Sequence, residues 1–270
     1  RARTGTHVVP PAGWDPALKL AGLVEYEGTD FAGWAAQPKR RSVEGVLTEA
    51  LSTVLRQPVK MSVAGRTDAG VHASGQVVSF QADTELRPAL ISYKTTAVLP
   101  KDVALRRCIA VPDEFDARTD ARSRTYEYRL VDDEIRSPLE RHHAGYEPQR
   151  LDLDLLSTAA RLVEGTHDFR AFTPQKSYHV RFERIVASSR WIRRDDLLRY
   201  RITADSFLYG MVRTLVGTML EVAGGKRDLT EFDRLLSGGR RSEAGPAVPS
   251  KGLTLVGVGY DDLDLWRSER

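Results

Sequence analysis

Residues Ser42 to Gln81 read SVEGVLTEALSTVLRQPVKMSVAGRTDAGVHASGQVVSFQ. Three patterns follow one another in this stretch. Val43, Val46, Leu47, Ala50, Leu51, Val54 and Leu55 recur at helical spacing and predict one apolar helix face. Ser42 is placed to cap it, and Pro58 stops it. Val59 to Ala64 and Gln76 to Gln81 then read as two strands. The segment between them, Gly65-Arg66-Thr67-Asp68-Ala69-Gly70-Val71-His72, is far longer than a tight hairpin needs. Working outward, Leu18 to Tyr26 alternates as a strand, Pro88 opens a short helix toward Thr95, and Asp102 to Ala110 is a further strand. The order is β-α-β-β-α-β.

The remainder repeats that order. Arg124 to Val131 alternates as a strand, and Leu151 to Glu164 has one apolar face with Gly165 as terminator. Arg184 to Arg193 and Leu197 to Ala204 flank a hairpin turn, and Ser206 to Ala223 is a strongly apolar helix. Asp228 with Glu231 resembles a capping box for a helix to Ser237, and Leu253 to Tyr260 closes the set. Two split β-α-β-β-α-β units define an α+β chain of two ferredoxin-like or RRM-like halves. The expected architecture is one continuous sheet with helices on one face and a central cleft. The divisions are a flexible lead over 1–17, a half over 18–117 and a half over 118–270. A helix-free sheet face is the surface that RNA-recognition modules use to hold bases, but this fold hosts many activities.

The whole chain narrows the class. No apolar run is long enough to cross a bilayer, and the first residues lack the apolar core of a secretory signal. Cys108 is the only cysteine, which excludes an internal disulfide and a cysteine-cluster metal site. Nothing argues for export, so a reducing cytoplasm is expected. Net charge is only +3, weak support for a nucleic-acid partner. The basic clusters are arginines: Arg40 and Arg41, Arg122 and Arg124, Arg181 and Arg184, Arg190 with Arg193 and Arg194, Arg240 and Arg241. Such forks suit phosphate and base stacking, although solvated surface charge reads the same way.

Three places could carry chemistry. The Gly65–His72 loop packs a carboxylate, a guanidinium and an imidazole between two rigid strands; the alternative is an Asx-turn with Arg66 paired to Asp68. Arg213 projects opposite the apolar face of its helix, between Gly210 and Gly217. Glycine costs about 1 kcal/mol inside a helix, so a second backbone packing there is expected, and Arg213 either pairs with a buried carboxylate or is solvated. Tyr126 and Tyr128 share one strand face, as a stacking platform or as core. No histidine or cysteine spacing supports a metal site, and no glycine-rich nucleotide signature is present.

These motifs together resemble the tRNA pseudouridine synthase A family, over nearly the whole span Leu18 to Tyr260. The stretches that carry the resemblance are EYEGTDFAGWAAQP, SVEGVLTEAL, AGRTDAGVHASGQVVSF, FDARTDARSRTYEYRL, GTHDFRAF, FLYGMVRTLVGTMLEVAGG and AGPAVPSKGLTLVGVGY. Glu27 stands where Asp is common, Asp116 where His is usual, and TTAVLP where N-A-x-L-P is common, which would change one contact near the site. The segment Lys176 to Arg184 fits loosely. The resemblance implies the pseudouridine synthase fold and isomerisation of uridine at positions 38, 39 and 40 of the tRNA anticodon arm. It implies a homodimer working on tRNA without metal or organic cofactor. It implies Asp68 as the essential aspartate, Tyr126 as the residue that stacks on the target base, Arg213 as the partner of the aspartate, and Arg66 as a residue that extrudes the nucleotide. His72, Arg40 and Arg41 are further expected substrate contacts, the two arginines to phosphate. The rival readings are a non-catalytic RNA-binding protein of RRM-like fold and a metal-dependent hydrolase.

Overall fold

A computed structural model describes residues 17–175, 180–194, 196–261 and 263. The expected lead 1–17 lies outside the described residues apart from Ala17. So do 176–179, within the loosely fitting segment, and Asp195 of the hairpin turn. The elements are β1 (Ala17–Tyr26), α1 (Val43–Leu55), β2 (Met61–Val63), β3 (His72–Asp83), α2 (Pro88–Val98), β4 (Val103–Ala110), β5 (Ser123–Asp132), β6 (Gly145–Glu147), α3 (Leu153–Leu162), β7 (Gly165–Asp168), β8 (Glu183–Arg194), β9 (Leu197–Ala204), α4 (Met211–Ala223), α5 (Leu229–Leu235) and β10 (Leu253–Gly259).

Local signals account for the helix ends. Ser42 accepts the Gly45 N–H, and α1 ends at Arg56 in the left-handed region, two residues before Pro58. Asp228 and Glu231 form the reciprocal capping box that starts α5. Several elements are shorter than expected, among them β2, α3 and, with most consequence, α4. Ser206–Gly210 is not helical, and α4 begins at Met211 with Gly210 as its N-cap at φ +69°. Gly210 therefore turns the chain into α4 and does not sit inside it. β6 and β7 are short strands that alternation did not reveal.

The described strands form one open sheet in the order β4-β1-β3-β10-β5-β9-β8-β7, with β2 beside β3 and β6 beside β5. β10 joins the halves. It runs parallel to β3, with Thr254 opposite His72, and antiparallel to β5, with Leu255 opposite Tyr126. All five α-helices among the described residues contribute to one large apolar core that includes Leu20, Phe80, Tyr128, Tyr200, Leu215 and Leu255. A smaller cluster on the other side gathers Ala21, Leu23, Val77, Phe115 and Ala117. β3 is thus covered on both faces, so it shows little alternation and extends beyond the run that reads as a strand. Tyr126 and Tyr128 belong to the helix-side core, not to an open sheet face.

Candidate active site

The long connection from β2 to β3 is fixed from below before Asp68 is reached. Gln76 Nε2 donates to Gly65 O (2.6 Å) and the Tyr26 hydroxyl bonds Thr67 Oγ1 (2.7 Å), both from buried strand positions. The Trp34 N–H donates to Thr67 O and the Gly70 N–H to Phe31 O, so the 27–41 loop lies against the 64–71 loop. Gly33 makes that approach possible. It sits at φ +101°, and a Cβ there would lie 2.9 Å from Thr67 O. The Asp68 side chain is left facing a cleft of about 1000 Å3.

Across the cleft stands Arg213, on the first turn of α4. Its Nη1 lies 3.9 Å from Asp68 Oδ2, and its Nε donates to Val248 O at 2.7 Å. The Val248 N–H returns a bond to Arg213 O. The segment 245–248 can lie this close because residue 217 is glycine: a Cβ there would fall 1.8 Å from Pro246 O. The backbone contact expected beside Arg213 is therefore present at Gly217 and absent at Gly210, whose nearest contact is a Pro174 side-chain carbon. Asp68 pairs with Arg213 rather than with Arg66, whose exposed side chain lines the cleft.

Burial governs the charge of Asp68. It raises the carboxyl above its ordinary value, and the Arg213 guanidinium draws it back only in part. Desolvation is the larger effect, so pairing with Arg213 does not bring this carboxyl below its ordinary value. Tyr126 forms another wall, edge-on to Phe207 with ring centroids 5.1 Å apart. Burial, with Tyr26 and Asp68 nearby, pushes its phenol well above the usual tyrosine range, so it stays protonated at neutral pH.

The other expected contacts divide. Arg40 lines the cleft with its side chain exposed. Arg41 does not line it: its Nη1 and Nη2 donate to the two Asp102 oxygens at 2.7 and 2.8 Å, and the guanidinium lies 4.0 Å over the Phe31 ring. In this arrangement Arg41 braces the 27–41 loop against the start of β4. The expected substrate contact at His72 is corrected. The residue is buried outside the cleft, its Nδ1 accepts the Gly28 N–H (2.9 Å), and its Nε2 faces His142 O (2.8 Å) and Lys251 O (3.0 Å). Burial lowers its pKa, so the ring is neutral and pins three segments together. Glu27, His72 and His143 do bring possible metal-ligand atoms within 4.8 Å of one another, a grouping invisible to local spacing. The His72 nitrogens are already committed to hydrogen bonds, which does not fit a ligand.

Two departures from the family pattern, Thr96 and Asp116, do not line the cleft, whereas Val180 and Arg184 of the loosely fitting segment do. Thr96 bonds Leu105 through both its donor and its acceptor, tying α2 to β4. The contact change expected near the site is thus a helix–strand tie instead. The Asp116 carboxylate accepts from Ser62, Arg118 and Thr119. Phe207, Arg118 and Arg184 line the cleft and were not singled out as site residues from sequence. Arg184 and Arg118 lie within arginine-rich stretches; Phe207 opens the stretch FLYGMVRTLVGTMLEVAGG, but its place at the cleft is set by the non-helical turn before α4.

An open α+β sheet with a cleft between its halves, lined by a carboxylate, a guanidinium and a tyrosine, fits a nucleic-acid-modifying enzyme. The tRNA pseudouridine synthase family profile matches residues 23–120 and 159–261, and the chain belongs to that family. It is 37% identical over 246 residues to the tRNA pseudouridine synthase A of Stenotrophomonas maltophilia strain K279a, covering 91% of this chain and 96% of that one. The protein of the same name from Citrifermentans bemidjiense is 36% identical over 241 residues, 89% of this chain and 96% of that one. That of Gloeobacter violaceus is 38% identical over 245 residues, 90% of this chain and 81% of that one. Among solved structures, a Cbf5-Nop10-Gar1 complex chain is similar over 87% of this chain and 57% of that one, at 12% identity and a TM-score of 0.37. No helix among the described residues is long and apolar enough to cross a membrane.

Proposed function

We propose that this chain converts uridine to pseudouridine at positions 38, 39 and 40 of the tRNA anticodon stem-loop, with Asp68 as the catalytic carboxylate. The observation that carries the reading is the Asp68–Arg213 pair at 3.9 Å in a cleft with Tyr126 as a wall. A target base must leave its stack, which costs a few kcal/mol. Stacking on an aromatic ring returns ~1–3 kcal/mol, and Tyr126 takes that role after Phe207 gives way. Arg66, exposed at the cleft, fills the space the base vacates; Arg40 meets phosphate. Asp68 acts in its ionised form and Arg213 keeps that form accessible against desolvation. The bond between uracil N1 and the ribose breaks, the base turns, C5 bonds to the same ribose carbon, and the C5 proton leaves to N1. Substrate and product are isomers, so no oxidant or external energy enters.

The Tyr126 phenol, held protonated, serves as surface and hydrogen-bond donor instead of base. The working unit is a cytoplasmic homodimer, each chain consisting of a lead over 1–17 and halves over 18–117 and 118–270. The deciding experiment incubates the protein with unmodified tRNA and maps the product by carbodiimide-stop sequencing. Stops at 38–40 are expected. Binding without any stop would favour an RNA-binding module, and stops elsewhere would move the target.

A further inference from the structure

Arg124, the second residue of β5, is held in an unusual way. Its Nε and Nη2 donate to Ala64 O at 3.0 and 2.7 Å, and Nη2 also to Arg118 O at 2.9 Å. Its Nη1 donates to Ala121 O at 3.0 Å and Asp205 O at 2.9 Å. Five hydrogen bonds match the five N–H groups of a guanidinium, and every acceptor is a main-chain carbonyl. No carboxylate makes an ion pair with it among the described residues. An arginine kept only for charge would take a carboxylate, the stronger partner. This one is spent entirely on backbone geometry.

The four carbonyls belong to three segments that meet at the cleft. Ala64 opens the loop that carries Asp68. Arg118 and Ala121 lie in the connection between β4 and β5. Asp205 opens the non-helical turn through Phe207 and Gly210 to Arg213. Arg124 itself stands two residues before Tyr126 on the same strand. One planar group therefore touches the chain on the way to Asp68, to Tyr126 and to Arg213. Gln76 and Tyr26 grip Gly65 and Thr67 of the same loop, but both come from the first half and cannot relate it to the second.

We infer that Arg124 is a positioning residue: its guanidinium fork sets the distances among Asp68, Tyr126 and Arg213 across the join between the halves. Lysine cannot replace it. An ammonium has three donors and no plane, so it cannot span four carbonyls from three directions. A displacement of about 1 Å in such a site costs on the order of 10²-fold in rate.

The inference rests on the proposed isomerase reading, and the experiment separates the two. Wild type, Arg124→Lys and Arg124→Ala are compared for tRNA binding by filter retention, for single-turnover pseudouridine formation, and for thermal unfolding. Arg124→Ala is also assayed with millimolar ethylguanidinium. If wild type forms no product, the isomerase reading fails. Given an active wild type, both variants are expected to unfold cooperatively, to bind tRNA within about threefold of wild type, and to lose roughly 10²-fold in rate. Ethylguanidinium is expected to restore part of the rate to Arg124→Ala. A Lys variant within threefold of the wild-type rate overturns the inference. So does a loss of binding as large as the loss of rate, which would make Arg124 a phosphate contact. Failure of both variants to fold would make it a scaffold residue and overturn it equally.

Discussion

Asp68 pays for its setting with its charge: burial disfavours the ionised form, and Arg213 at 3.9 Å compensates only partly. Its pKa is raised in the folded chain, so ionised Asp68 opposes folding once pH exceeds the unfolded value, fully so above the folded one. Asp68→Asn is therefore expected to raise the melting temperature at neutral pH, with the gain vanishing below the ordinary aspartate range. The same variant should lose roughly 10⁴-fold or more in isomerisation while retaining tRNA binding. A melting temperature that falls at pH 7, or wild-type turnover, would contradict the assignment. Arg213→Ala removes the one charge that pulls this carboxyl down, so the acid limb of the kcat/KM profile should move to higher pH as well as the rate falling. An unmoved limb would mean that Arg213 acts elsewhere. Arg40 and Arg41, adjacent in sequence, should behave oppositely. Arg40→Ala should flatten the salt dependence of tRNA binding by roughly 0.7–0.9 in slope, the share of one phosphate. Arg41→Ala should leave the slope alone and cost about 1 kcal/mol or less of stability, because its guanidinium is engaged with Asp102 and Phe31. Equal slopes for the two variants would refute that division.

At the scale of elements, α4 and the 245–248 segment act as one unit. Arg213 Nε donating to Val248 O and the Val248 N–H donating to Arg213 O hold one end; the Gly245 N–H donates to Thr218 Oγ1 at the other. Gly217 lies between. Gly217→Ala should force the two apart at an overpacking cost of about 1–3 kcal/mol. It should also lower isomerisation by more than the loss of folded protein accounts for, measured as rate per folded molecule. A stable, fully active alanine variant would dissolve the link. The pattern around Gly217 also indicates what sequence could reveal. A glycine inside an apolar helix is a local anomaly with a packing cause, and that cause is legible. Gly210 looked alike on a helical wheel but starts the helix, because apolar periodicity in FLYGMVRTL continues across a turn that only a positive φ reveals. Strands with one solvated face, such as β5 and β9, were readable by alternation; β3, buried on both faces, was readable only in part. The Asp68 loop stood out by its length and content. The uses of Arg41, His72 and Arg124 were hidden, since each is defined by partners that lie far along the chain or are main-chain atoms without residue identity.

For the whole molecule, the question is whether two halves mean two folding units. The apolar core argues for one. A single contiguous cluster runs from Leu20 and Phe80 through Leu255 to Tyr200 and Leu215, and β10, last in the order, is hydrogen-bonded to strands of both halves. A chain divided into independent domains would have few contacts crossing its boundary and a core on each side. Unfolding is therefore expected as one cooperative transition. Trp34 reports on the first half and Trp191 on the second, both nearly fully buried. Variants retaining only one of these tryptophans should give superimposable fluorescence melts, coincident with the calorimetric transition. Leu255, fully buried where β10 meets β5, offers a sharper test. Leu255→Ala should lower stability by about 2–5 kcal/mol while the two reporters continue to melt together. Two separated melts in that variant would show that the halves hold their own structure and that β10 merely fastens them. A single lowered melt would mean that the cleft lies inside one cooperative unit, so that the distance from Asp68 to Arg213 is maintained by the stability of the entire sheet.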